Sequence, residues 1–239
     1  MISSLQNNKV KDWMRLYQKK YRRNQYLILD EVIIKEAIKY GYLDTLIYTG
    51  KNELKFKDSI EVSLEVMQKL TKGKDLKYLG IGHIIEEKLD HPNKIVMLDD
   101  LQDPQNVGMI MHACELFGHD TLILNNNTAD IYHEKCLSAS LGSIYHLNIL
   151  RCNLEDKIKE LQADGFKVYA TGLSKETKEL EEVSSTNKMA FILGNEGSGV
   201  KESIYDIVDE VIKIRMENID SLNVAMAGTV VMYHFSKWL

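Results

Sequence analysis

Residues 189–199, MAFILGNEGSG, set five apolar side chains, Met189 to Leu193, directly before a loop with glycine at 194, 197 and 199. An apolar run without polar alternation predicts a strand buried on both faces, the condition of a parallel sheet covered by helices. Three glycines in six residues around Glu196 imply backbone conformations or approach distances that a Cβ forbids, a common way of cradling a cofactor. A tight structural turn is the plain alternative. The loop is not a Walker A motif, because Val200 follows Gly199 where Lys is needed, and not a dinucleotide fingerprint, because position 202 is Glu.

Outward from this stretch the pattern alternates. Strands are predicted at 95–98, 121–124, 145–149, 167–170, 189–193 and 211–214. Helices are predicted at 107–117, 133–139, 154–163, briefly after Val200, and at 222–237. Such alternation predicts an α/β fold with a largely parallel sheet and helices on both faces. Upstream, helices at 10–23, 31–40 and 63–70 and strands at 26–29, 43–48 and 78–85 form a smaller α/β unit. The polar stretch EEKLDHPNK at 86–94 holds one of the two prolines and reads as a linker. Two domains are therefore expected, at 1–90 and 95–239.

The chain has 239 residues, 44% of them hydrophobic, enough for a sizeable core; no apolar run is long enough to span a bilayer. The start lacks the basic then apolar pattern of a secretory signal, which predicts a cytoplasmic protein. Cys114, Cys136 and Cys152 form no C-x-x-C pair and read as reduced packing thiols, and no ligand spacing suggests a metal. The net charge of −5 hides a basic cluster of Lys9, Lys11, Arg15, Lys19, Lys20, Arg22 and Arg23, opposed only by Asp12. These cations are candidates for holding RNA phosphates, with a solvated amphipathic helix as the plain alternative. Trp13, Tyr17 and Tyr21 are expected to pack inward.

Ligands of open parallel sheets bind at the C-terminal ends of the strands, so the loops that follow strands carry the chemistry. Besides GNEGSG, two stand out. In DDLQDPQNVG at 99–108, Asn106 is expected to cap the following helix and the aspartates to face solvent. In IRMENIDSLNVA at 214–225, Ser221 and Asn223 stand at a helix start, where free N–H groups point at a ligand or are simply capped.

In this order, DPQNVG, GNEGSG and SLNVAMA resemble the three motifs of the SpoU (TrmH) class of the SPOUT superfamily of RNA ribose 2′-O-methyltransferases. The resemblance runs from Ile95 to Tyr233, and 135–149 is similar to a family stretch between the first two motifs. It implies a trefoil-knotted methyltransferase domain, one of the rare exceptions to unknotted topology, beside a smaller RNA substrate domain. It further implies S-adenosylmethionine bound by Thr171, Gly172, Leu193, Gly194, Asn195, Glu196, Gly197, Gly199, Ile214, Met216, Ser221, Leu222 and Asn223. The implied catalytic set is Asn106, His112, Glu196, Ser221 and Asn223, acting on rRNA or tRNA in a homodimer that pairs partly through the last helix.

Four positions depart from the family pattern. His112 and Ser138 stand where arginines are usual, Arg215 replaces a proline, and Leu29-Asp30-Glu31 replaces an acidic residue followed by Gly. An imidazole is shorter than a guanidinium and cannot grip a phosphate bidentately, although it can act as a base. The alternative function is therefore an RNA-binding paralogue without transfer. A conventional nucleotide-binding dehydrogenase is disfavoured by the missing phosphate fingerprint.

Overall fold

A computed structural model describes residues 1–173, 176–217 and 222–236. In chain order the elements are α1 (Asn8–Arg15), β1 (Gln25–Ile28), α2 (Glu31–Lys39), β2 (Leu43–Tyr48), β3 (Ser59–Glu61), α3 (Leu64–Leu70), β4 (Tyr78–His83), β5 (Lys94–Asp99), α4 (Pro104–Leu116), β6 (Thr121–Leu124), α5 (Glu134–Ser140), β7 (Asn148–Arg151), α6 (Leu154–Ala163), β8 (Lys167–Thr171), β9 (Thr177–Glu179), β10 (Met189–Gly194), α7 (Glu202–Tyr205), β11 (Glu210–Lys213) and α8 (Val224–Ser236). They divide into two compact units, one of residues 1–85 with 130–145 and one of 86–129 with 146–239. The segment 130–145, placed by sequence in the second domain, thus packs with the first unit. Its Tyr145 hydroxyl meets that of Tyr26 at 2.9 Å and its ring stacks on Tyr42 at 5.0 Å. Tyr145 therefore does not open β7, which starts three residues later than the apolar pattern predicts.

The first unit is built on a sheet of order β1-β4-β2-β3, in which β4 runs antiparallel to β1 and β2 and β3 runs parallel to β2. Val10 and Trp13 of α1 and Val66, Met67 and Leu70 of α3 pack on Leu27, Ile47, Leu79 and Ile81 of the strands. The helix predicted over 10–23 ends at Arg15, and a separate 3-10 turn follows at Lys19–Tyr21. Arg22 supplies the reason: its guanidinium donates to the carbonyls of Leu16 (2.6 Å) and Tyr17 (3.3 Å), acceptors that a longer helix would have used itself.

The second unit carries a seven-stranded sheet of order β7-β6-β5-β10-β8-β11-β9, parallel at every pairing. The short strands β3 and β9 escape sequence reading because neither carries an apolar run. Alternation along β10 sorts the two layers. Ala190 and Ile192 face Ile158 and Leu161 of α6 and Ile204 of α7. Phe191 points the other way, with its ring 6.4 Å from that of Phe235 on α8. Each such fully buried large side chain contributes about 1.5–3 kcal/mol of hydrophobic stabilisation. No described helix is long and apolar enough to cross a membrane.

Candidate functional site

Strand order brings the loops together. Because β10 lies between β5 and β8, with β11 beyond β8, the ends at Asp99, Gly194, Thr171 and Lys213 line one edge of the sheet. The chain after β10 then turns sharply, with Asn195 and Gly199 exchanging backbone hydrogen bonds at 3.0 and 2.9 Å. A Cβ on Gly194 would lie 2.1 Å from the backbone of Gly199 and Val200, so only glycine permits this turn. The Asn195 side chain is consumed inside the loop: Oδ1 accepts from the N–H groups of Gly197 and Ser198, and Nδ2 donates to the Asp100 carbonyl at 2.8 Å.

Glu196 is held from the first loop. Its carboxylate accepts from the backbone N–H groups of Gln102 and Asp103 and from Asn106 Nδ2, each at 3.1 Å. Burial pushes its pKa up, but these donors outweigh it and hold the carboxyl below its ordinary value. Asn106, only 6% exposed, accepts at Oδ1 from Asn223 Nδ2 at 3.1 Å. Asn223 Oδ1 in turn accepts from the N–H groups of Ala225 and Met226 and so caps α8. One continuous chain of hydrogen bonds thus joins all three loops.

Two sequence expectations are corrected here. Asp103, not Asn106, caps α4, accepting from the Gln105 N–H with Pro104 in the first turn. That leaves the Asn106 amide available for Glu196 and Asn223. Asp99, expected to face solvent, is 1% exposed and accepts from Asn125 Nδ2 (2.9 Å) and the Lys201 N–H (3.0 Å), with Lys201 Nζ at 3.2 Å. The signal for it was an acidic residue closing an otherwise apolar strand that is covered on both faces.

Of the remaining predicted cofactor residues, Thr171 and Gly172 fall along the same edge. Thr171 Oγ1 donates to the Ile192 carbonyl at 2.8 Å, and the Gly172 N–H donates to the Ile212 carbonyl at 3.0 Å, tying the ends of β8, β10 and β11. Leu193 and Gly194 are buried and Gly197 and Gly199 exposed; Ile214 and Leu222 are half-buried and Met216 is exposed. Ser221 lies outside the described residues. The structure links Asn106 directly to Glu196 and to Asn223, while His112 lies six residues further along α4 and roughly 120° round the helix from Asn106. It shares a face with the exposed Met109 and Leu116. The sequence reading missed the backbone donors of Gln102 and Asp103, which no side-chain pattern advertises.

In the first unit, Lys11, Arg15, Lys19, Lys20 and Arg23 are exposed. Arg22 is not: its side chain is 8% exposed and pairs with Asp130, so it braces the unit instead of joining the basic surface. Trp13 packs inward as expected and the Tyr17 hydroxyl donates to the Leu70 carbonyl at 2.7 Å, but Tyr21 is exposed. Two departures from the family pattern touch: Ser138 Oγ donates to Asp30 at 2.9 Å, while the other Asp30 oxygen caps α2. Cys114 and Cys136 are buried free thiols, pushed up in pKa by burial, and Cys152 is half-buried.

Comparison with known proteins accords with this geometry. The chain is 31% identical over 245 residues, covering 98% of each protein, to the 23S rRNA (guanosine(2553)-2′-O)-methyltransferase RlmP of Bacillus subtilis (strain 168). The AdoMet-bound rRNA methyltransferase of Sinorhizobium meliloti superposes with a TM-score of 0.88 at 25% identity, covering 98% of this chain and 96% of that one. The SpoU methyltransferase AviRb of Streptomyces viridochromogenes shares the fold, with a TM-score of 0.85 at 21% identity and 97% coverage of both chains. Residues 93–233 match the family model for the SpoU rRNA methylases, and the chain belongs to the SpoU rRNA Methylase family.

Proposed function

We propose that this protein transfers a methyl group from S-adenosylmethionine to a ribose 2′-hydroxyl of RNA, with ribosomal RNA as the substrate class and guanosine as the nucleoside. The observation that carries this reading is the hydrogen-bonded chain from Glu196 through Asn106 to Asn223, which locks three loops around one sheet edge. The Bacillus relative supports both the reaction and the nucleoside. The residues present fit such a cofactor: at the ends of β8 and β10 the backbone is bare, and a Cβ at Gly172 or Gly194 would collide with Tyr205 or with the backbone of Gly199 and Val200. The bound cofactor supplies an electrophilic methyl group on a sulfonium.

The protein's own part is positioning. Glu196, saturated with donors and low in pKa, is a poor base near neutral pH; it sets the orientation of Asn106 and, through it, of Asn223. The Asn106 and Asn223 amides then hold the edge against which the ribose lies. The trefoil-knotted path belongs to the same reading, supported by β10 lying between β5 and β8. The first unit and its exposed cations hold RNA phosphates. A homodimer is supported by exposed apolar side chains on two helices that pack together, Met109 and Leu116 of α4 and Met226, Val230 and Tyr233 of α8. His112 shares the face of Met109 and Leu116, and we assign it to that interface. Free thiols and an RNA substrate fit the cytoplasm.

The test is transfer of labelled methyl to RNA from a strain lacking the gene, with the products identified as nucleosides, and with the His112→Arg variant alongside. Labelling of ribose 2′-hydroxyls by the wild type is the expected result. A silent wild type beside an active His112→Arg would establish the non-transferring paralogue instead.

A further inference from the structure

The same sheet edge holds a second concavity. A cavity of about 260 Å³ lies among the loops after β5, β6, β7 and β10, sharing with the proposed cofactor loops only the segment that follows β10. Its walls are fixed. Asp99 at its base is pinned by Asn125 and Lys201. Arg151 donates to the carbonyls of Asn125 (2.5 Å), Thr128 (2.9 Å) and Ala129 (3.2 Å), clamping the turn that carries Asn126 and Asn127.

What lines the opening is unused hydrogen-bonding capacity. The exposed Asn126 and Asn127 side-chain amides make no hydrogen bond among the described residues; Asn153 spends its Oδ1 on the Asp156 N–H and keeps its Nδ2. Glu155 lines the cavity and is half-buried, with Oε1 accepting from Ser203 Oγ at 2.6 Å and Oε2 making no hydrogen bond among the described residues. The cavity is also mechanically joined to the transfer site. Gln102 Nε2 donates to the Asn127 carbonyl at 3.2 Å while the Gln102 N–H donates to Glu196 at 3.1 Å.

We propose that this cavity is the base subsite of the acceptor nucleotide and that it selects guanine through Glu155. This rests on the proposed RNA methyl transfer. A carboxylate accepts from two neighbouring donors, and guanine offers N1–H and the 2-amino group side by side; adenine turns the N1 lone pair toward the carboxylate instead. The free amides of Asn126, Asn127 and Asn153 donate to O6 and N7 on the opposite side. A pyrimidine leaves part of the volume unfilled, and a duplex does not enter a cavity of this size. Rejection of adenine follows from leaving the carboxylate facing a lone pair without a donor.

The experiment titrates GMP and AMP separately onto the full-length protein by saturation-transfer NMR, for wild type, Glu155→Gln and Asn127→Ala. Charge-assisted hydrogen bonds of about 1.5–3 kcal/mol predict that GMP binds the wild type at least about tenfold more tightly than AMP. Glu155→Gln should erase that preference, and Asn127→Ala should weaken GMP roughly fivefold. S-adenosylmethionine affinity and the thermal midpoint should be unchanged in both, since Gln retains the Ser203 contact. Equal binding of GMP and AMP by the wild type, or an unaltered preference in Glu155→Gln, overturns the assignment. Failure of methyl transfer with the GMP preference intact sinks the transfer reading and leaves a guanine-selective cavity standing. Undiminished transfer to guanosine by Glu155→Gln overturns the subsite and leaves transfer standing.

Discussion

Asn106 and Glu196 stand 90 residues apart in sequence and meet side chain to side chain at 3.1 Å. The carboxylate accepts only, so it dictates that Asn106 presents its NH2 to Glu196 and its oxygen to Asn223. Asn223 must then donate, and its own oxygen is left to cap α8. One anion orders two amides and a helix start.

Replacing Asn106 tests that order. Asn106→Ala should lower kcat/KM for methyl transfer by roughly 100-fold, the scale of losing one preorganised donor. Asn106→Asp should be worse, because it sets a second carboxylate against Glu196. Equal rates for wild type and both variants in the labelled-methyl assay would remove Asn106 from the site.

The depressed pKa of Glu196 has a definite consequence for pH dependence. A carboxyl whose folded pKa lies below its unfolded value is ionised across the neutral range, and its contribution is lost only as pH falls through that lowered value. The rate profile of the wild type from about pH 6 to 9 should therefore contain no limb belonging to Glu196. Glu196→Gln should reduce the rate at every pH in that range and leave the shape of the profile unchanged; a limb that disappears in Glu196→Gln would show the residue titrating during turnover.

Gly194→Ala should abolish cofactor binding and destabilise the second unit. The added Cβ would meet backbone at 2.1 Å, and neither Gly199 nor Val200 can yield as a flexible side chain would. Overpacking of this kind costs about 1–3 kcal/mol. Calorimetric titration with S-adenosylmethionine and a thermal melt read the two effects; binding at wild-type affinity would contradict the geometry.

His119 should make the protein acid-sensitive. It is 1% exposed, packs edge-on to Phe191 at 5.7 Å, and neither ring nitrogen has a hydrogen-bond partner of good geometry among the described residues. Burial, helped by the Lys94 charge, lowers its pKa to about 4. The folded state holds the neutral ring while the unfolded chain protonates near its ordinary value, so stability is full above about pH 6.5 and falls toward pH 4. At about pH 5 the loss should be on the order of 2 kcal/mol, and His119→Leu should abolish it. Urea unfolding at pH values on either side of the window makes the comparison; parallel losses in wild type and variant would exclude His119 as the cause.

Arg22 and its neighbours should part company. Arg22→Ala leaves Asp130 without its cation, with the Tyr132 N–H still donating to it, and should cost about 3 kcal/mol in stability. Lys19→Ala and Lys20→Ala, at exposed positions, should leave the melt unchanged while weakening RNA retention and reducing its salt dependence. RNA binding lost in Arg22→Ala without a change in stability would return that residue to the interface.

The local alphabet determined a great deal. Apolar runs without alternation marked the buried strands; Ser63, Asp30 and Asn153 capped helices beside them; and three loops in one order carried the family resemblance. These are short-range properties, set by side-chain period, backbone freedom and capping within a few residues. Only the tertiary structure decided the rest. It buried Asp99 at the end of an apolar strand, turned Arg22 from a surface cation into a brace, and gave 130–145 to the first unit. It also moved the α4 cap to Asp103, which left the Asn106 amide for Glu196. Each of these depends on a partner tens of residues away, or on which of several nearby acceptors a donor reaches, and no spacing along the chain encodes either.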